Sequence, residues 1–294
     1  MRILVTGAKG QLGSDLMKEF EKRQIDAVGV DVDEMDITDA DAVKSTIAAI
    51  HKERPLDGII HCAAWTAVDK AEDEQEKVLK INADGTRNIA VQAKALDLKM
   101  MYISTDYVFD GEGERPWEPD DERHPLNVYG QTKYEGELAV EELIKKFFIV
   151  RIAWVFGLHG NNFVKTMLKL GKERGAVKVV NDQIGSPTYT PDLAVLLCDM
   201  ITTEKYGRYH ATNSGIISWY DYACEIFRQA KMTDVKVTPC SADEFKAKAK
   251  RPHNSRMNED KLTENGFHML PPWQDALGRY LKELEKDNSR EVKQ

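Results

Sequence analysis

The chain has 294 residues, 42% of them hydrophobic and 8% aromatic, enough apolar material for one large or two moderate domains with a real core. A net charge of -8 with a pI near 5.5 excludes a protein whose main task is to grip nucleic acid or an anionic membrane surface. An anionic small ligand would need a local cluster of Lys, Arg or backbone N–H donors. Met1 runs directly into "RILVTG" without a basic-apolar-small leader pattern, and no apolar run approaches the ~20 residues that span a bilayer, so the expected compartment is the cytoplasm. Cys62, Cys198, Cys224 and Cys240 show neither C-x-x-C spacing nor a His-rich neighbourhood. Buried free thiols are expected, not disulfides or a zinc site.

"RILVT" reads as a strand, followed by a helix from Gln11 to about Arg23 and a second strand, "DAVGVD". A helix from Asp39 to about Glu53, the strand "DGIIHCAA", a helix from about Val78 to Leu96 and the strand "KMMYIST" continue the alternation. "VYGQTKYEGE" then opens a helix, and "KFFIVRIAWVF" is the next strand. Such βαβα alternation with nearly continuous apolar strands predicts a doubly wound parallel sheet of Rossmann type, with helices on both faces and right-handed crossovers. Past Phe156 the rhythm loosens. Helices near Asn161 to Arg174, Thr190 to Thr203 and Ser218 to about Lys231 alternate with the strands "AVKVV" and "GRYHAT", as in a second, smaller mixed α/β domain. The expected division is 1–155 for the first domain and 156–294 mainly for the second, with some segments returning to the first. Four polar stretches read as solvent-facing: "EDEQE" (Glu72 to Glu76) as a helix start, Glu135 with Glu137 and "EFKAKAKR" as helix surface, and "KELEKDNSREVKQ" from Lys282 as a fraying tail.

In "RILVTGAKGQLG" a strand runs into Gly7, Gly10 and Gly13 and then into a helix. Glycines there let the backbone approach a pyrophosphate, and the helix N-terminus supplies N–H groups and partial positive charge, so the first domain reads as dinucleotide-binding. Asp31 ends the second strand, where a carboxylate accepts ribose hydroxyls and repels a 2′-phosphate; this favours NADH over NADPH. Ser104, Thr105 and Asp106 end the fourth strand, at the sheet edge where open α/β folds bind ligands. Tyr129 and Lys133, one helical turn apart on one face, follow. A hydride arriving at a carbonyl carbon leaves charge on oxygen, which needs a proton donor and a hydrogen bond. A free phenol, with a pKa of ~10, is a sluggish donor; a nearby ammonium makes it a better acid.

The glycine turn with Tyr-x-x-x-Lys resembles the extended short-chain dehydrogenase/reductase family. The segments "GQLG", "AAWTAVDKAE", "STDYVFDG", "PLNVYGQTK", "GNNFVKTML", "NDQIGSPTYT" and "RPHNSRM" narrow the resemblance to its nucleotide-sugar ketoreductases, over nearly the whole chain. The resemblance implies reduction of the 4-keto group of dTDP-4-dehydro-L-rhamnose by NADH or NADPH, to supply activated rhamnose for cell-surface polysaccharide. It assigns Thr105 to polarising the keto oxygen, Asp106 to the substrate, Tyr129 to proton donation, and Lys133 to tuning the phenol and holding the nicotinamide ribose, with both Tyr129 and Lys133 against the cofactor. Gly10, Gln11 and Leu12 fall at the pyrophosphate, Asp31, Asp36 and Ile37 near the adenosine, Ala63, Ala64, Trp65 and Thr66 along the cofactor's middle, and Trp154 at the sugar or nicotinamide. His61 and Trp65 depart from the family pattern beside the cofactor, as does Met257 after "RPHNS".

Lys165, Arg251 and Asn254 are candidates for the substrate pyrophosphate, since Arg and Lys pair well with phosphate oxygens. Lys165 reads equally as a solvated helix lysine. Gln183 faces the nucleotide in this reading. Some members of the family are described as dimers with Mg²⁺ held by interface glutamates; Asp15 alone falls near such a position, so no metal site is assigned and the chain is expected to be a monomer or homodimer. Two alternatives remain: a nucleotide-sugar epimerase or dehydratase that retains NAD, and a non-catalytic cofactor-binding subunit like the regulatory subunit of methionine adenosyltransferase.

Overall fold

The computed structural model describes residues 1–291. Among them, β1 (Arg2–Thr6), β2 (Asp26–Val30), β3 (Gly58–His61), β4 (Lys99–Thr105), β5 (Phe147–Ile152) and β6 (Gly207–His210) form one sheet in the order β6-β5-β4-β3-β1-β2. Every neighbouring pair in it is parallel. Side-chain alternation along each strand feeds two cores. Ile3, Val5, Met101, Ile103, Phe148 and Val150 point to one face; Leu4, Ile59, Met100, Tyr102 and Ile149 point to the other.

The first face is covered by α1 (Gln11–Lys22), through Leu12, Leu16 and Phe20, and the second by α2 (Ala40–Glu53), α3 (Gly85–Ala95) and α4 (Val128–Leu143). A third core lies outside the sheet. There α5 (Phe163–Arg174), α7 (Trp219–Gln229) and α8 (Trp273–Glu291) gather around Phe156, Tyr189, Tyr222 and Tyr280. Between α5 and α7 in sequence, α6 (Thr190–Ile201) packs instead beside α1 against the sheet's first face. The crossover reverses between β1 and β3, so their carboxyl ends open a crevice, the usual ligand position in such sheets.

Several expectations are corrected. The expected helix from Val78 to Leu96 is interrupted by a π-helical turn at Lys80–Asp84. The tail does not fray at Lys282: α8 runs on to Glu291. Trp273, Ala276, Leu277 and Tyr280 bury one side of that helix, Arg279 forks onto Asp192, and Tyr189 donates to Glu283. Lys282, Glu285 and Lys286 lie on its outer face; residues 292–294 lie outside those described. Of the lysine-rich "EFKAKAKR" only Glu244 and Phe245 are helical, at the end of the short helix Ala242–Phe245, because Lys246 takes a left-handed conformation (φ 53°) and ends the turn. The strand Lys236–Cys240, parallel to Ala176–Val180, was not legible, since Pro239 and its largely solvent-facing pattern argue against a strand. All four cysteines are free; Cys198 and Cys240 are buried, Cys62 and Cys224 partly so.

Candidate active site

The carboxyl ends of β1 and β3 border a cavity of about 630 Å³ lined by Gly7, Gly10, Asp31, Asp36, Ile37, Ala63, Ala64 and Trp65. Gly7 has φ +67°, and a Cβ there would lie 2.7 Å from the Ala63 nitrogen. No other residue type would tolerate both the turn and the contact. Gly13 packs on the Gly7 carbonyl, so closely that a Cβ would lie 2.1 Å away. Gly10 caps α1 without a side-chain hydrogen bond, which leaves the first-turn N–H groups without a side-chain acceptor. Asp31 accepts from the Lys9 and Val32 nitrogens. Asp36 accepts from both the backbone and hydroxyl of Thr38, which hold its carboxyl below the ordinary range. Ile37 is buried against Gly85.

Beneath this wall His61 is buried between two threonines. Thr86 donates its hydroxyl proton to the Asn82 carbonyl (2.6 Å), so it accepts from His61 Nε2–H (3.1 Å), and Nδ1 accepts from Thr6 (2.7 Å). Burial, with the Lys133 charge adding, pulls the imidazole down to about 3, so it is neutral at working pH. Asn82, in the π-helical turn, then clasps both backbone polar atoms of Trp65 and donates to Thr132 on α4. This network links the wall of the first cavity to the helix that carries Tyr129.

A second cavity, of about 410 Å³, adjoins the first and is lined by Gln11, Leu12, Thr66, Thr105, Asp106, Tyr129, Lys133, Trp154 and Trp219. Asn127 caps α4 by accepting from Gly130 N (2.8 Å). Gly136 lets the helix approach β4, for a Cβ there would meet the Tyr102 hydroxyl at 2.3 Å. Lys133 is therefore pressed against the strand, with Nζ 2.8 Å from the Ile103 carbonyl and 4.1 Å from the Tyr102 ring centroid. The Thr105 hydroxyl donates to Asp106 (3.0 Å), which also accepts from Ser255 (2.5 Å). Burial raises the Asp106 carboxyl to about 6 in spite of these donors. Trp154, in a left-handed conformation (φ 50°), stacks on Trp219 with centroids 3.7 Å apart. A left-handed tryptophan is strained backbone, of the kind concentrated at ligand sites.

Sequence reasoning expected Lys133 to bring the phenol down. Instead burial raises the Tyr129 phenol, the Asp106 charge adds to the rise, and the Thr105 side chain opposes it. Lys133 is itself lowered to about 7 by burial, with Glu137 and Cys62 working against the fall. Its charge is present below that pH and lost above it. An anionic dinucleotide bound against Lys133 would restore the charge, so NADPH binding should then take up a proton near neutrality. Affinity for NADPH is expected to fall by roughly tenfold as pH rises through the Lys133 value, the scale of one charge-assisted hydrogen bond. Fluorescence titrations across that range check it; Lys133→Met should bind more weakly at low pH and show no step, and an equal step in both proteins would remove Lys133 as its source.

A third cavity, of about 490 Å³, shares Tyr107 and Trp219 with the second and is lined by Gln183, Lys178, Lys248, Lys250, Arg251 and His253 among others. Of the pyrophosphate candidates it contains Arg251 but not Lys165 or Asn254. The Lys165 amine donates to the Leu158 and Gly160 carbonyls, and Asn254 donates to the Glu112 and Arg115 carbonyls, holding a loop. Trp219, Tyr107 and Ser255 are site residues the sequence did not signal. Asp15 is buried, accepts from the Thr190 hydroxyl (2.7 Å) and pairs with Lys18 (2.9 Å). Among the described residues no group of three His, Cys, Asp or Glu side chains is arranged around a metal position. Two residues read as solvent-facing have structural partners, and one of them is buried. Glu72 accepts from Val128 N at the start of α4, and Glu137 is fully buried, bonded to Ser104 (2.6 Å), Arg123 (2.8 Å) and Arg151 (2.8 Å).

A doubly wound sheet whose first turn is built for a dinucleotide, with Thr, Tyr and Lys converging beside it, defines an oxidoreductase scaffold of the extended short-chain type. The chain belongs to the family of the RmlD substrate binding domain, whose family model matches residues 1–286. It is 39% identical to the dTDP-4-dehydrorhamnose reductase of Escherichia coli K12, over 97% of this chain and 98% of that one. It is 45% identical to a solved dTDP-4-dehydrorhamnose reductase from Bacillus anthracis in complex with NADP, with a TM-score of 0.91 over 96% and 99% of the two chains. A Thermus thermophilus UDP-glucose 4-epimerase complex with NAD shares the fold at 16% identity, with a TM-score of 0.82 over 97% and 99%. Among the described residues no helix is long and apolar enough to cross a membrane.

Proposed function

We propose that this chain reduces the 4-keto group of dTDP-4-dehydro-L-rhamnose to give dTDP-L-rhamnose, the last step in making this activated sugar for polysaccharide synthesis, with NADH or NADPH as reductant. The observation that carries the reading is the convergence of Thr105, Tyr129 and Lys133 in a cavity that joins a dinucleotide crevice to a cationic one, in a chain of this family. Gly7, Gly10, Gln11, Leu12 and Gly13 would hold the cofactor pyrophosphate, Asp31, Asp36 and Ile37 its adenosine end, and Ala63, Ala64, Trp65 and Thr66 its middle. The Cβ-free cradle at Gly7 fits such a group. Bound NAD(P)H supplies the hydride.

Tyr129 gives its phenolic proton to the keto oxygen as charge develops there. The Thr105 hydroxyl turns from Asp106 to that oxygen and donates a hydrogen bond to it. Lys133, when charged, stabilises the phenolate left behind and holds the nicotinamide ribose. Trp154 and Trp219 wall the sugar; Arg251 and Gln183 face its nucleotide. Residues 1–155 carry mainly the cofactor and the later residues mainly the sugar nucleotide. Asp31 favours NADH, since a carboxylate repels a 2′-phosphate. All assigned residues lie in one copy of the chain, so a monomer or a homodimer is compatible with the reading. A cytoplasmic location goes with it, because nucleotide sugars and NAD(P)H are held there.

Incubation with enzymatically generated dTDP-4-dehydro-L-rhamnose should consume NADH or NADPH in proportion to the keto sugar, followed by absorbance for each cofactor separately. Loss of neither would overturn the reading in favour of an NAD-retaining epimerase or dehydratase or a non-catalytic subunit.

A further inference from the structure

We propose that Asp69 is a positioning residue for the sugar nucleotide: it fixes the Arg251 guanidinium at the wall of the cationic cavity and ties that wall to the cofactor side of the site. The inference rests on the nucleotide-sugar reading above and deepens it. Asp69 lies in the short helix Val68–Ala71, immediately after the Trp65 and Thr66 stretch that borders the cofactor cavities. Arg251 comes from the far end of the sequence. Its two terminal nitrogens grip the two Asp69 oxygens at 3.0 and 2.8 Å, the bidentate fork that Arg makes with a carboxylate.

The contact belongs to a wider seam. Asp69 also accepts from Ala249 N (3.1 Å), the Lys248 amine meets Asp73, and the Lys250 carbonyl accepts from Asn127, the cap of the helix bearing Tyr129. Ser255, a few residues on, donates to Asp106. The segment Lys248–Ser255 is thereby stitched across the cleft to the elements that carry the chemistry. Arg251 is half-buried beside Tyr107, and it lines the cavity together with Lys178, Lys248 and Lys250.

An unrestrained arginine gives up much rotamer freedom when it binds a phosphate; one already forked on a carboxylate has given it up beforehand. The Asp69 carboxyl, held below the ordinary range chiefly by Arg251, stays ionised to do this. Its negative charge is the cost; Lys178 and Lys248 are themselves paired, with Glu244 and Asp73, so the positive charge of the wall rests on Lys246 and Lys250 beside Arg251.

The test uses dTDP as the probe, titrated by calorimetry into the wild type, Asp69→Ala, Asp69→Asn, Arg251→Ala and the Asp69→Ala/Arg251→Ala double variant, with NADPH titration as the check on folding. Asp69→Ala is expected to weaken dTDP by about tenfold and to raise KM for the keto sugar similarly, with a smaller change in kcat. Asp69→Asn, which keeps the shape and loses the charge, should fall between it and the wild type. Because Asp69 acts through Arg251, the double variant should be no weaker than Arg251→Ala alone. Unchanged dTDP affinity in Asp69→Ala, additive losses in the double variant, or a wild type that does not bind dTDP would each overturn the proposal. A wild type that binds dTDP with this pattern but never oxidises NAD(P)H would overturn the reductase reading and leave the Asp69 role standing.

Discussion

Tyr129→Phe should lower kcat by at least about a hundredfold, the usual scale for removing a positioned general acid, while NADPH affinity stays close to that of the wild type. The phenol has a reason to stay protonated and, in the proposed reading, a position to give the proton up; the Tyr107 phenol in the same cavity is also raised by burial. Burial and the neighbouring Asp106 charge hold it in the acid form, and Tyr107 packs edge-on against its ring at 5.4 Å, which limits its swing. Thr105, already committed to Asp106, can donate a hydrogen bond but is a poor source of a whole proton. Single-turnover measurement with NADPH bound in advance separates the chemical step from cofactor capture. A variant that turns over at a rate near the wild type would remove Tyr129 as the acid and leave the Thr105 hydroxyl or water to be examined in its place.

The second large effect concerns stability. Glu137→Ala should cost about 3–5 kcal/mol, the usual penalty for stranding one member of a buried ion pair. Glu137 and Arg151 are both fully buried, and two guanidinium nitrogens of Arg151 lie 2.8 Å from the two carboxylate oxygens. Arg151 without that carboxylate would keep the Pro119 carbonyl, His210 and the Phe109 ring as partners, none of them a counter-charge. Burial alone would raise the Glu137 carboxyl, but Arg151, Ser104 and Arg123 hold it down to about 2. A depressed carboxyl contributes stability that is complete above its unfolded value of ~4.3. That contribution is lost as pH falls from there toward the folded value. Urea unfolding at neutral pH should therefore show the full deficit, and the gap between variant and wild type should narrow in acid. A variant as stable as the wild type at neutral pH would mean that Arg151 finds solvent or another partner.

Much of the sheet was legible because its strands are nearly continuous apolar runs set between glycine turns and amphipathic helices, a pattern with few other readings. The cavities at the sheet's carboxyl edge were placed for the same reason: Gly7, Gly10 and Gly13 follow the first strand directly, and Thr105 and Tyr129 sit at element ends that line them. What escaped is what depends on contacts between distant segments. Glu137 looked like helix surface because a carboxylate on a helix is usually solvated. Its burial was signalled elsewhere, by Arg151 alone in the apolar run "FFIVRIAW", since a charge inside a strand requires a counter-charge on whatever covers it. The lysines after Phe245 resembled a solvated helix because composition does not reveal that Lys246 ends the turn. Lys165 matched a phosphate ligand by motif, but two carbonyls of its own loop take its amine. Trp219, beginning a helix whose buried face belongs to the third core, carried no local mark of its stacking on Trp154.

The edge strand Gly207–His210 has a consequence for how the protein is made. It pairs with Phe147–Ile152, and the same short segment brings Arg208 to Glu141 and Asp120 and His210 to Arg151. A nascent chain that has emerged only through the first half of the sequence therefore exposes a bare, apolar strand edge and an incomplete cluster of charges under α4. Both are liabilities for a folding intermediate, because unpaired strand edges recruit other chains. During synthesis the platform beneath Tyr129 and Lys133 is closed only when these later residues leave the ribosome.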